Sequence, residues 1–315
     1  MTFFKQALFL CSISFWLASC GGSDDTPRLA RDTRASDPKA QALFNEGMAA
    51  EKSGDLKKAR KRYRAVTLKY PLFTASHEAA FRRGKLLEKK GDPLEAFEAY
   101  NDVLTKYPAS PHYAAAMKRQ ELIAQQSANG NITQSFIGIN TRVSTKDTAK
   151  MLTRVRENAP RSPSGEWAQF TLGRLHQKEG SGDISTGRAI AAYRELTRDY
   201  PNSKYAPEAQ YQIGRILLSA AKTGNQDSAN LDRAKRVFDD LLIAYPDSKQ
   251  ARLAKAEIAT LASGEVQRNF DIAEFYRKKE NIPSALFYYQ ETIRRSKQGP
   301  LAAQARSWIQ KLSKP

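Results

Sequence analysis

Five alanines in this chain are each followed, four residues later, by an aromatic ring: Ala59 and Tyr63, Ala96 and Tyr100, Ala189 and Tyr193, Ala234 and Phe238, Ala285 and Tyr289. A separation of four puts both side chains on one helix face, with the ring one turn beyond the alanine. Eight residues after the first four rings stands a proline: Pro71, Pro108, Pro201 and Pro246. Proline disfavours helical geometry in the residue before it, so Tyr70, Tyr107, Tyr200 and Tyr245 are expected to end their helices. Upstream, Gly47, Gly84 and Ala273 each precede the alanine by 12 residues, while Gly173 and Gly214 precede theirs by 16 and 20. The extra residues fall in SGDIS and TGNQDSAN, which are loop material. Small residues on two successive helices let the helix axes approach closely, and the ring then fills the space between neighbouring hairpins.

This spacing resembles the tetratricopeptide repeat, a helix–turn–helix unit of about 34 residues, although the tryptophan typical of its first helix is absent. The expected fold is all-α: an α-solenoid of about five to six such hairpins with a C-terminal capping helix. Units are expected at 38–71, 72–108, 111–160, 164–201, 204–246 and 265–297. Gly54-Asp55 and Gly91-Asp92-Pro93 supply the turns inside the first two. The third unit keeps its closing Ala159-Pro160 but has Leu152 in place of the ring, and Ala149 sits one position late. Residues 248–262 read as a connecting helix. Residues 300–313 read as the cap, with Leu301, Ala305, Trp308 and Leu312 on one stripe.

The first 37 residues follow another pattern. Lys5 precedes an apolar run from Ala7 to Leu17, too short for an ordinary membrane span, and Leu17-Ala18-Ser19-Cys20 closes it. That closing sequence resembles the lipobox of bacterial lipoproteins. The resemblance implies a signal peptide at 1–19, cleavage before Cys20, and acylation of Cys20 as the lipid attachment site. Residues 20–37, polar and poor in aromatics, read as a tether with a reach of roughly 20–25 Å. The solenoid would then occupy 38–313. The two cysteines are Cys11, in the leader, and Cys20, so the mature chain forms no internal disulfide. The formal net charge of +18 would suggest nucleic acid for a cytosolic protein, but export argues against that partner. Anionic lipid headgroups, cell-wall polymers and acidic protein surfaces remain compatible with it, as does a merely solubilising surface on exposed helices.

No catalytic constellation emerges, and no cofactor or small-molecule substrate is expected. His77, His112 and His176 are scattered without metal-ligand spacing, no GxSxG elbow occurs, and Glu46, Glu51 and Glu88 read as solvated helix residues. A solenoid of this kind offers a groove lined by the first helix of each pair. The register places Phe44, Met48, Glu51, Phe81, Lys85 and Lys89 toward it. An apolar floor with charged walls would suit a peptide ending in an aromatic residue and a carboxylate. Phe44 and Phe81 serve equally as fillers between hairpins. The run Lys57, Lys58, Arg60, Lys61, Arg62, Arg64 and Lys69 spreads around an outer helix surface. Between units two and three, SANGNITQSFIGINTRVS carries Phe136, Ile137 and Ile139 in a loop. That loop either meets a partner or folds onto its own repeat.

Lipobox, tether, Tyr-Pro hairpins and C-terminal helix together resemble the BamD family, lipoproteins of the outer-membrane β-barrel assembly machinery. Local matches are AYRELTRDYPNSKYAPEAQYQIG at 192–214, ENAPRSP at 157–163, NFDIAEFYRKK at 269–279 and LASGE at 261–265. The resemblance implies a scaffold on the periplasmic side of the outer membrane. Its C-terminal repeats would dock on the POTRA domains of the insertase BamA, and its N-terminal repeats would receive the C-terminal strand of unfolded outer-membrane proteins. Phe275, Tyr276 and Tyr288 in the last unit are the candidate docking residues. Gly21 after the cysteine, rather than aspartate, agrees with an outer-membrane address. The chain is longer than typical members, with extended loops in units four and five and an unusually high charge. Tol-Pal-associated repeat proteins and pilus or secretin pilot lipoproteins are the rival scaffolds, and a cell-wall hydrolase is the rival enzyme.

Overall fold

The computed structural model describes residues 36–136, 139–180, 182–223 and 228–314. The leader, Cys20 and nearly all of the tether lie outside the described residues, as does Ile137. The chain forms α1 (Pro38–Lys52), α2 (Leu56–Lys69), α3 (Ser76–Lys90), α4 (Pro93–Lys106), α5 (Tyr113–Ala128), β1 (Thr133–Phe136), β2 (Ile139–Arg142), α6 (Thr145–Asn158), α7 (Pro163–Lys178), α8 (Asp183–Asp199), α9 (Ala206–Thr223), α10 (Ser228–Ala244), α11 (Lys249–Lys278), α12 (Ile282–Arg295) and α13 (Pro300–Leu312). These are the paired helices of a tetratricopeptide-type solenoid, ending in a terminal helix. The chain divides into two compact units, one ending at Ala79 and the other beginning at Ala80.

Local chemistry sets the ends of the helices. Before each of three Tyr-Pro turns the tyrosine leaves helical geometry in the same way: Tyr70 at φ −135°, ψ 57°, Tyr107 at −131°, 58°, and Tyr200 at −135°, 59°. Ala159, before Pro160, adopts −130°, 57°. The clash with the proline ring excludes the α region there. The serine that follows then turns the chain, its backbone N–H donating to the tyrosine carbonyl at Ser110, Ser203 and Ser248. Ser248 also caps α11, its hydroxyl accepting from the Ala251 N–H at 3.0 Å. Gly54 and Gly91 take φ +83° and +84° in the turns inside their hairpins, a region other residues rarely adopt.

In the first unit, α1 packs on α2 through Gly47 and Tyr63. A Cβ at Gly47 would lie 2.8 Å from the Tyr63 ring. The same seat recurs in the second unit, where a Cβ would come within 2.7 Å of Tyr100 at Gly84, 2.4 Å of Tyr193 at Gly173, and 2.3 Å of Phe238 at Gly214. Three residues before each small residue stands a second ring. Phe44–Tyr63, Phe81–Tyr100, Phe170–Tyr193, Tyr211–Phe238 and Phe270–Tyr289 all have centroids 5.7–5.8 Å apart. Five hairpins are thus each closed by an aromatic pair over a small residue, and the α5–α6 hairpin, with Leu152 at the ring position, is not.

Three features depart from the sequence expectation. Residues 248–262 are not a separate connector: they are the first half of α11, a single 30-residue helix. Nothing between Lys249 and Lys278 breaks a helix except Gly264, and one interior glycine costs at most about 1 kcal/mol. Both halves are anchored, Ala251 and Ala254 in the core of α9 and α10, Phe270 and Ala273 in that of α12 and α13. The segment between α5 and α6 is an antiparallel hairpin rather than a loop, with Thr133 opposite Arg142 and Phe136 opposite Ile139. Its ends, Ile132 and Val143, pack onto the core built from α3 to α8. In the third unit Thr148, not Ala149, holds the alanine position, fully packed beside the buried Leu152. The Thr148 hydroxyl meets that of Ser127 at 2.7 Å.

Two glycine substitutions separate the packing role from the conformational one. Gly173→Ala should cost roughly 1–3 kcal/mol by driving a methyl into the Tyr193 ring. Gly264→Ala, where nothing lies within 4 Å of the added atom, should instead stabilise by roughly 0.5–1 kcal/mol. Urea unfolding of both variants reads the contrast; equal effects would refute the assigned notch.

Candidate functional site

Phe81, Lys85 and Lys89 stand at four-residue intervals on α3, and the structure brings them together with α5. With Glu88, Ala115, Lys118 and Arg119 they line an open groove of about 680 Å³. Its apolar end is Phe81, half-buried, with its ring tilted on Tyr100 and stacked flat on His112 at 4.6 Å. Its charged end holds four cations against one carboxylate. Arg119 grips Glu88 through Nε and Nη2, with Nε donating to Oε1 at 2.9 Å. The exposed Lys85, Lys89 and Lys118 form no ion pair among the described residues. Such a surface attracts a ligand that combines an aromatic side chain with negative charge.

The other half of the expected surface belongs to the first unit and is spent on packing. Phe44 is a core residue, only 5% exposed, wedged between Tyr63 and Phe73. Glu51 accepts the Tyr63 hydroxyl at 2.7 Å, and Met48 is half-buried beside it. Glu46, expected to be solvated, pairs with Arg62 at 2.7 Å. The outer face of α2 leaves Lys57, Lys58, Lys61 and Arg64 exposed. Sequence reasoning missed the α5 wall, His112, Lys118 and Arg119, because the third unit lacks the ring that would have set its register.

A second surface lies on the last hairpin. Tyr276 and Tyr288 stack at 5.8 Å, 12° from parallel, and bridge α11 to α12. Phe275 and Phe287 flank them edge-on at 5.5 and 5.2 Å, 56% and 55% exposed. Four aromatic rings therefore form one ridge. Phe287 was absent from the sequence-derived set, yet Tyr289 is the core ring of its unit, so a residue two positions earlier must face outward. Beneath the ridge, Glu274 accepts from both the Tyr289 hydroxyl and Arg277, and the Arg277 guanidinium covers the Trp308 ring at 4.2 Å. One carboxylate thus ties α11, α12 and α13 together.

Among the described residues no cluster of histidine, cysteine and carboxylate side chains could hold a metal, and no helix is long and apolar enough to cross a membrane. Residues 44–111 match the tetratricopeptide-repeat family. The chain has the paired-helix fold of that repeat. Solved structures are similar to the chain at low identity. The MamA protein is 16% identical with a TM-score of 0.30, over 65% of this chain and 91% of its own. The C-terminal part of a repeat protein from Cytophaga hutchinsonii is 12% identical at 0.32, over 84% and 87%. A tetratricopeptide repeat protein from Parabacteroides merdae is 13% identical at 0.27, over 88% and 100%. No curated protein matches the chain.

The Glu274 triad predicts a pH dependence. The hydrogen bond from Arg277 holds the Glu274 carboxyl below the usual glutamate range, aided by the Tyr289 hydroxyl and opposed by burial, while burial pushes the Tyr289 hydroxyl up. A lowered folded-state value means that the carboxylate's stabilisation is complete above the ordinary range. It is lost as pH falls through the folded value. Melting temperatures of the native chain and Glu274→Gln should differ most near neutrality and converge as pH falls below the ordinary glutamate range. A gap that stays constant with pH would exclude this role for Glu274.

Proposed function

We propose that this chain is a lipid-anchored scaffold of the outer-membrane β-barrel assembly machinery. In this reading Cys20 carries the acyl anchor and residues 20–37 hold the solenoid off the inner face of the outer membrane. The groove between α3 and α5 receives the C-terminal segment of an unfolded barrel protein, and the ridge on α11 and α12 docks on the POTRA domains of the BamA insertase. The observation that carries the reading is the groove: Lys85, Lys89 and Lys118 line it together with the half-buried Phe81. A segment ending in an aromatic residue and a carboxylate complements both ends. The ridge adds a second, apolar surface of the kind that anchors protein interfaces, where exposed aromatics contribute most of the affinity. The resemblance to BamD over the lipobox, the Tyr-Pro hairpins and the last helix pair supplies the identity of the partners.

Copurification from detergent-solubilised membranes tests this. The native chain should bring down a barrel insertase, whereas Tol components or a secretin would replace this reading by a rival scaffold. Changing Phe275 and Phe287 to serine should cut insertase recovery about tenfold or more. The fold should hold, since both rings are more than half exposed. Cys20→Ala should move the protein from the membrane to the soluble fraction with its helical circular dichroism intact. Retention on the membrane in that variant would contradict acyl anchoring.

A further inference from the structure

Four residues after the notch glycine, two hairpins place a side chain that accepts the hydroxyl of their core tyrosine. Glu51, four after Gly47, accepts from Tyr63 at 2.7 Å. Gln177, four after Gly173, accepts from Tyr193 at 2.9 Å. Glu88 stands four after Gly84, in the same relation to Tyr100. It does not serve there. Its carboxylate is held by Arg119 across the groove, and the Tyr100 hydroxyl, on a side chain with 0% exposure, is buried with no hydrogen-bond partner among the described residues. An orphaned buried hydroxyl is unfavourable and native folds rarely leave one unexplained. A forked guanidinium grasping a carboxylate is also the geometry by which proteins recognise carboxylate ligands.

We propose that Glu88 is a built-in stand-in for the ligand: it occupies on Arg119 the seat of a peptide's terminal carboxylate. An arriving peptide with a free C-terminus displaces it. Glu88 then turns about its own side-chain bonds to accept the Tyr100 hydroxyl, as Glu51 and Gln177 do in their hairpins. One ion pair is exchanged for another, and Tyr100 gains its hydrogen bond as the peptide takes the Arg119 seat. The exchange selects for a free carboxylate, because an amidated terminus offers Arg119 no replacement for Glu88. This inference rests on the groove being the peptide site.

The test uses the full chain and two fluorescein-labelled decapeptides ending in phenylalanine, one with a free carboxylate and one amidated, followed by fluorescence polarisation. Glu88→Gln keeps an acceptor for Tyr100, as at Gln177, but weakens the competitor on Arg119. It should tighten the free-acid peptide about tenfold and leave the amide unchanged. Arg119→Gln should abolish the preference for the free acid. Tyr100→Phe should weaken the free-acid peptide several-fold without lowering the melting temperature, whereas Tyr63→Phe, which breaks a made bond, should lower it. A purely structural role for these residues would not separate the two peptides. If Glu88→Gln tightens neither peptide, or both alike, the exchange is wrong while the groove stands. If neither peptide binds to the native chain or to Glu88→Gln, the groove reading falls and the exchange with it.

Discussion

The contact on which this fold depends is an aromatic ring lying against a helix position with no side chain. At Gly47, Gly84, Gly173 and Gly214 a single added carbon would stand 2.3–2.8 Å from the ring opposite. No rearrangement of a fully buried tyrosine or phenylalanine opens that space, because the ring is itself clamped by the second aromatic three residues before the glycine. The last hairpin meets the same need with Ala273, buried at 0% against Tyr289. Notch, clamp and ring fix the separation and the relative rotation of the two helices. The pre-proline tyrosine then fixes where the second helix must stop. With both settled, the next hairpin starts in a defined place, which is why a short signature can specify an array.

Where the signature fails, polar chemistry takes over. The third unit has Leu152 for the ring, and around it the core is threaded with amides. Asn101 accepts from Asn158 at 2.9 Å and from Gln120 at 3.3 Å, while Asn158 also donates to Gln120 at 2.9 Å. One turn away Gln169 donates to the Ala192 carbonyl, and Arg156 joins Gln169 to Glu195. Gln120 and Gln169 are 0% and 1% exposed. A leucine against small residues tolerates sliding, but a buried amide whose donors and acceptors are all matched does not, since any shift leaves one of them unpaired. These two networks give the interrupted hairpin the register that its missing ring cannot.

The same logic explains what could be read from the sequence. Hairpins with the full signature were legible to within a few residues because each part has a local steric meaning. The continuity of α11 was not. The sequence shows a glycine at 264 inside an otherwise uniform helical pattern, and whether a helix bends there depends on neighbours packing both halves. The strands between α5 and α6 were hidden in a segment rich in glycine, asparagine and serine, which reads as loop by composition alone. For the groove, the α3 wall followed from the register of Gly84. The α5 wall could not, because its unit offers no ring from which to count, and Lys118 and Arg119 looked like ordinary helix-surface charges. Phe44 and Phe81 had two readings at the outset. Packing gives Phe44 wholly to the core and divides Phe81 between core and groove.

That division follows from the geometry of the first helix in each pair. Positions three before and at the notch are committed to the core ring as clamp and gap, and in the first and the Gly173 hairpins the position four after supplies the acceptor for its hydroxyl. In the second hairpin the positions one and five after the notch point away, and these are the exposed Lys85 and Lys89. Surface chemistry can therefore vary from repeat to repeat without disturbing the closure beneath it. The last hairpin uses the same freedom differently, setting Phe275 and Phe287 two residues after Ala273 and Ala285. A cationic groove and an aromatic ridge can then be built on one repeated frame. The acceptor position belongs to both systems at once. At Glu51 and Gln177 the residue there satisfies the core ring, and at Glu88 Arg119 on the facing helix competes for it, which couples what lies in the groove to the packing underneath.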